Sequence, residues 1–94
     1  MNDTFKALSD PTRRKILDLL KDKDMSAGEI ADHFTMSKPS ISQHLKLLKH
    51  AGLIMDEKHG QYIIYSLNTT VFQDLVSWAF SFTEPKNEVK GEEK

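Results

Sequence analysis

Residues 37–52 read S-K-P-S-I-S-Q-H-L-K-L-L-K-H-A-G, and the way this stretch starts, stops and repeats decides the fold. Ser37 is placed to cap a helix, its hydroxyl accepting an amide of the first turn, where Pro39 is tolerated because those amides have no intrahelical acceptor. Gly52 is placed to end it in a left-handed conformation. Between these signals Ile41, Leu45 and Leu48 fall at i, i+4 and i+7 and form one apolar face. Pro39, Ser42, Gln43, Lys46 and His50 lie on or beside the opposite face, and they are short or hydrogen-bonding. No acidic residue occurs between Asp32 and Asp56, so a polyanion can approach without meeting a carboxylate. The stretch predicts a DNA-recognition helix over residues 38–51.

Upstream, Ser26-x-x-Glu29 is a capping box that opens a helix to about Phe34, with Ile30, Ala31 and Phe34 inward. Only Thr35 and Met36 then precede Ser37, and two helices joined so tightly make a helix-turn-helix. Thr35 stands where many such turns carry glycine; a left-handed backbone there would cost about 1 kcal/mol. Further back, Asp10 and Pro11 start a helix whose apolar face is Ile16, Leu17, Leu19 and Leu20, followed by a K-D-K-D connector. Residues 3–8 predict a short first helix with Phe5 and Leu8 inward. Arg13 and Arg14 offer contacts to DNA phosphate or to nearby acids.

Downstream the period changes. L-I-M-D-E-K and Q-Y-I-I-Y-S-L flank the turn signal His59-Gly60 and predict a β-hairpin, with Ile63, Tyr65 and Leu67 on one face and Tyr62, Ile64 and Ser66 on the other. Asn68 is placed to cap a last helix reaching about Thr83, with Pro85 beyond it. The whole is a mostly α-helical winged helix-turn-helix: four helices, a hairpin wing and a fifth helix.

The chain has 94 residues and a formal net charge of -1, and residues 1–83 hold ten basic and ten acidic groups. This balance argues against general coating of nucleic acid and leaves sequence-specific binding, where a local patch suffices. There is no cysteine, which excludes disulfides and thiolate chemistry. The N-terminus lacks the apolar region of a signal peptide, and no apolar run approaches the roughly 20 residues of a membrane helix. We therefore expect a soluble cytoplasmic protein with no membrane insertion. Residues 1–83 form the expected domain, and residues 84–94 a polar, disordered tail.

The last helix carries Val71, Phe72, Leu75, Val76, Trp78, Ala79, Phe80 and Phe82. A helix apolar nearly all round needs cover on more than one side. In a domain this small a second copy supplies it most simply, together with Phe5 and Leu8; the alternative is a deep groove within the monomer.

The segments F-K-A-L-S-D-P-T-R-R-K-I-L-D-L-L, E-I-A-D-H-F-T-M-S-K-P-S-I-S-Q-H-L-K-L-L-K-H-A-G-L-I and H-G-Q-Y-I-I-Y-S-L together resemble the ArsR-type winged-helix repressors of bacteria, in the branch lacking metal ligands. The resemblance covers Phe5 to Phe82. It implies a homodimer joined by the first and last helices, with Phe5, Leu8, Val71, Phe72, Leu75, Trp78, Ala79 and Phe82 at the interface. It also implies paired recognition helices in successive major grooves of an inverted-repeat operator in double-stranded DNA. Family contacts carry over to Ser37, Lys38, Pro39, Ser42 and Gln43, and the helical face agrees for the last three. Gln43 can pair with adenine, Ser42 is less discriminating, and Pro39 offers apolar contact. Lys38 and Lys46 suit phosphate, while Lys58, His59 and Gln61 of the wing can reach flanking backbone or minor groove.

Competing readings have less behind them. The ligands of metal-responsive relatives are missing: the third helix has no cysteine pair, and the last has Asp74 but no histidine. His33, His44, His50 and His59 are scattered; His44 reads as packed or hydrogen-bonded, His59 as a turn residue. No metal site and no cofactor are expected. Neither a phosphate loop, a G-x-S-x-G elbow nor an H-E-x-x-H pair appears, so no enzyme is expected. A winged-helix protein-interaction module is the main rival, and a metal-responsive repressor the weaker one. With no sensor residue evident, a regulatory protein partner is the first choice for the releasing signal, ahead of an apolar ligand near the dimer interface or control by abundance alone.

Overall fold

The computed structural model describes residues 2–85. Three of the helices start on a polar side chain that satisfies an otherwise orphaned amide. Before α2 (Pro11–Asp22) the Asp10 carboxylate accepts the Arg13 amide at 3.1 Å. Before α3 (Ala27–Ala31) the capping box is complete, with Glu29 N donating to Ser26 Oγ at 3.2 Å and Ser26 N to Glu29 Oε1 at 2.9 Å. Before α4 (Lys38–His50) Ser37 Oγ accepts from Ser40 N at 3.4 Å. Gly52, with φ of 80°, lets the chain turn away as Leu53 N donates back to Leu48 O.

The core is where these helices meet. Ile16, Leu17 and Leu20 of α2, Ile30 and Ala31 of α3, and Ile41, Leu45 and Leu48 of α4 are buried together with Met25, Leu53 and Ile54. Each fully buried Ile or Leu contributes about 1.5–3 kcal/mol relative to exposure, so these residues hold the helix-turn-helix rigid. α1 (Asn2–Leu8) packs against α2 and α4.

A three-stranded antiparallel sheet closes one side, in the order β1 (Met25–Ser26), β3 (Tyr62–Leu67), β2 (Ile54–His59). β1 was not expected; Met25 pairs with Tyr65 and Ser26 with Ile64, tying the start of α3 to the wing. The hairpin loop is Gly60-Gln61, one position later than the turn signal suggested, because His59 still pairs with Tyr62. Gly60 has φ of 63° and, among the described residues, no non-glycine residue has positive φ, the pattern of a type II′ turn. For the same reason Thr35 carries no left-handed strain.

Other boundaries also moved. The third helix ends at Ala31 rather than near Phe34: His33 N and Phe34 N donate to Ile30 O and Ala31 O, tightening the exit into a turn. Helix α2 absorbs Lys21 and Asp22 of the expected connector. In α1 the buried residues are Thr4 and Ala7, not Phe5. The small side chains allow close approach to the end of α4, where Thr4 Oγ1 donates to Ala51 O at 3.4 Å, and the bulky Phe5 is left on the outer side. Leu8 is half-buried. On β3, Tyr65 and Leu67 reach the core, whereas Ile63 lies beyond its edge and is exposed.

α5 (Thr69–Phe80) begins at Asn68, but the Asn68 side chain makes no capping bond. Its Nδ2 donates to Gly52 O at 3.0 Å instead, while its backbone carbonyl accepts from Val71 N and Phe72 N. The helix ends at Phe80, and single turns continue to Thr83. None of its residues is buried; Val71, Phe72 and Leu75 only lean on the core's edge. The tail from Lys86 onward lies outside the described residues. No helix among the described residues is long and apolar enough to cross a membrane.

Candidate nucleic-acid interface

Burial of Ile41, Leu45 and Leu48 fixes the rotation of α4, and the residues at complementary spacing must then face out. Ser37, Lys38, Pro39, Ser42, Gln43 and Lys46 are all exposed, on one side of the helix and its entrance. α3 packs behind it through Ile30 and Ala31. Among the described residues neither Lys38 nor Lys46 has an ion-pair partner.

The far end of α4 is different. Lys49 Nζ donates to Asp56 Oδ2 at 2.9 Å, and that hydrogen bond, with the charge of Asp56, raises the lysine pKa. Although the sequence shows no acid between residues 32 and 56, the fold brings Asp56 back beside the helix. His50 Nε2 lies 3.6 Å from Asp3 Oδ2, so it looks toward α1 rather than joining the groove face. The positive character is concentrated at Lys38 and Lys46.

In the wing Lys58, His59 and Gln61 cluster at the exposed hairpin tip. His59 Nε2 sits 3.3 Å from Glu57 Oε1, which places a carboxylate among these candidate phosphate contacts. His59 is the last residue of β2, not a turn residue.

Arg13 and Arg14 contact neither the solvent side of the groove face nor a carboxylate side chain by hydrogen bond. Arg13 donates through Nε to Ala7 O (2.8 Å) and through Nη2 to Lys6 O (3.1 Å), while its Nη1 meets His44 Nδ1 at 3.2 Å. Arg14 Nη1 donates to Leu8 O at 2.7 Å. The last carbonyls of a helix are unpaired and carry partial negative charge, so two cations from α2 satisfy the end of α1. His44 is half-buried and hydrogen-bonded, as its sequence position suggested. Asp10 is held below the usual carboxylate range, first by the hydrogen bond from the Arg13 amide and then by the charge of Arg13.

The remaining exposed feature is apolar. Phe5 and Trp78 rings lie 5.6 Å apart, and Trp78 and Phe82 meet edge to face at 5.0 Å. Val76, Phe80 and Phe82 are exposed, Phe80 to 63% and Phe82 to 72%. Of the predicted interface residues, Phe5, Trp78, Ala79 and Phe82 are exposed, whereas Leu8, Val71, Phe72 and Leu75 are partly used by their own domain. Val76 and Phe80, absent from that prediction, are among the most exposed. A cleft of about 470 Å³ lies between Leu8, Leu17, Leu67 and Phe72. Among the described residues no three His, Cys, Asp or Glu side chains are grouped to hold a metal ion.

Residues 10–56, from the α2 cap into the wing, match the model of a family described as bacterial regulatory protein, arsR family. The chain belongs to the ArsR family. It is 65% identical over 82 residues to the transcriptional repressor SdpR of Bacillus subtilis, covering 87% of this chain and 91% of that relative. It is 34% identical over 76 residues to the arsenical resistance operon repressor of Staphylococcus aureus, covering 81% and 73% of the two. The crystal structure of an ArsR family transcriptional regulator superposes with a TM-score of 0.81 at 30% identity, covering 87% of this chain and 90% of that one. As an ArsR protein the chain is a DNA-binding transcriptional regulator and not an enzyme, with α3 and α4 as its helix-turn-helix.

Proposed function

We propose that this ArsR-family protein is a cytoplasmic transcriptional repressor that binds an inverted-repeat operator as a homodimer. The observation that carries the reading is the carboxylate-free exposed face of α4, held out by a fully buried stripe on the same helix. Gln43 and Ser42 read base edges in the major groove, Pro39 contacts an apolar base edge, Ser37 meets the DNA at the helix entrance, and Lys38 and Lys46 hold phosphate. Lys58, His59 and Gln61 extend the footprint along the flanking DNA. The exposed apolar side of α5, with Phe5, joins the second copy, which sets the two readers about 34–36 Å apart, one turn of DNA. A protein partner that releases the repressor belongs to the same proposal; derepression by a small molecule alone, in a purified transcription system, would remove it.

Selection of duplexes from a random pool by the full chain tests this directly. Gln43→Ala is expected to relax preference at one position by about 1–3 kcal/mol, whereas Lys46→Ala weakens all sequences alike and lowers the salt slope by about 1. A folded dimer that enriches no site, or variants that bind every duplex as the parent does, would overturn the reading.

A further inference from the structure

The Arg13 guanidinium joins three parts of the fold at one group. It belongs to α2, it holds the last carbonyls of α1 at Lys6 and Ala7, and it meets the ring of His44 on the recognition helix. An arginine side chain has donors only, so for the 3.2 Å approach to His44 Nδ1 to be a hydrogen bond that nitrogen must accept and the ring proton must sit on Nε2. His44 follows Ser42 and Gln43 directly on α4, and its side chain is only 20% exposed. We propose that Arg13 is a positioning residue for DNA reading: through neutral His44 it fixes α4 against α1, and protonation of His44 releases that hold.

The same geometry offers the charged ring a different partner. Asp10 Oδ2 lies 3.9 Å from His44 Nδ1, beyond a hydrogen bond but within reach of a charged ring. A neutral imidazole is held by Arg13, whereas an imidazolium loses its acceptor, meets a like charge on Arg13 and is drawn to Asp10. The charged groups around it are Arg13 and Asp10 from the start of α2, and across the adjoining small cleft Lys6 and Asp3 from α1 and His50 from α4. Because α1 carries Phe5 onto the exposed apolar side, the brace links the region proposed to meet the second copy with the helix proposed to read DNA. A loosened α4 still attracts phosphate but holds its base contacts less well. The effect therefore falls on specificity, and it rests on the repressor reading above.

The test compares affinity for a duplex selected by the wild-type chain with affinity for a scrambled duplex of equal length, between about pH 8 and about pH 5.5, which brackets imidazole titration. The ratio cancels the general gain in DNA attraction as exposed histidines charge. For wild type it falls about tenfold toward acid, the effect of losing one charge-assisted hydrogen bond. His44→Asn, which keeps an acceptor near the Nδ1 position without titrating, changes less than about twofold over the range. Arg13→Lys keeps the charge but not the three-way fork, and its ratio is about tenfold lower at the alkaline end and flat. Parallel pH profiles for wild type and His44→Asn would overturn the proposal; that pair decides it even if Arg13→Lys fails to fold. Nitrogen NMR of the free protein gives a reading independent of DNA: a ring proton on Nε2 at alkaline pH is expected, and one on Nδ1 would sink the brace. If no duplex were selected, the repressor reading would fail while the NMR result still judged the brace.

Discussion

α4 and α5 are helices of nearly equal length, and the more apolar of the two is the one with no fully buried residue. α4 has four aliphatic residues, Ile41, Leu45, Leu47 and Leu48, and three of them are inaccessible to solvent. α5 has Val71, Phe72, Leu75, Val76, Trp78, Ala79 and Phe80, yet none is buried. Spacing explains the contrast better than content. A stripe at i, i+4 and i+7 matches the single groove its own domain offers, whereas apolar residues all round a helix ask for more cover than this domain holds. The recognition helix is finished by its own chain, and α5 is left open to the second copy proposed above.

That contrast is open to direct attack, and the largest effect lies in the packed half. Leu48→Ala, at a fully buried site on α4, is expected to cost about 2–5 kcal/mol of unfolding free energy in a urea titration at fixed protein concentration. A loss below about 1 kcal/mol would show that stability does not reside there. Next comes the unfinished side. Trp78→Ala removes the ring between Phe5 and Phe82, and sedimentation should show self-association weakened by about 2 kcal/mol, with far-ultraviolet dichroism little changed. Unaltered association would make α5 a surface without a partner copy.

The smallest effect concerns acid. The Asp10 and Glu29 carboxyls both have lowered pKa values, chiefly because each accepts a backbone amide at a helix start, and both lie in the packed half. A carboxyl that titrates lower when folded contributes fully above its unfolded value, about 3.9 for aspartate, and its contribution is lost as pH falls through the lower, folded value. Asp10→Asn should therefore reduce the fall in urea midpoint between about pH 6 and about pH 3. An unchanged fall would mean that acid acts elsewhere.

Much of this was legible in the residues because the signals were local. Ser37, Pro39 and Gly52 marked both ends of α4, and the capping box at Ser26 and Glu29 formed as spaced. The outward placement of Pro39, Ser42, Gln43 and Lys46 followed from the buried stripe, whereas Ser37 and Lys38 were picked out by the resemblance to the family. What escaped depends on distant backbone. β1 is only Met25–Ser26, too short to show a period, and exists because β3 passes alongside it. Arg13 and Arg14 bind carbonyls, which no residue type encodes, so their sequence suggested phosphate or acids instead. Asn68 sat correctly at a helix start, but its amide found Gly52 O first. Phe5 turned outward because a helix of seven residues gives too few repeats to fix a face.

The link at Asn68 has a consequence for how such regulators can vary. Its backbone amide donates to Leu53 O and its side chain to Gly52 O, both at 3.0 Å, so the chain leaves α4 and later returns to the same spot before α5 departs. The wing is thus an excursion with a shared entrance and exit. Its tip can gain or lose paired residues while the junction stays as it is, and the bearing of α5 relative to α4 stays with it. In the proposed dimer, reach along the flanking DNA and separation of the two readers would in this way be set by different parts of the chain, free to drift independently.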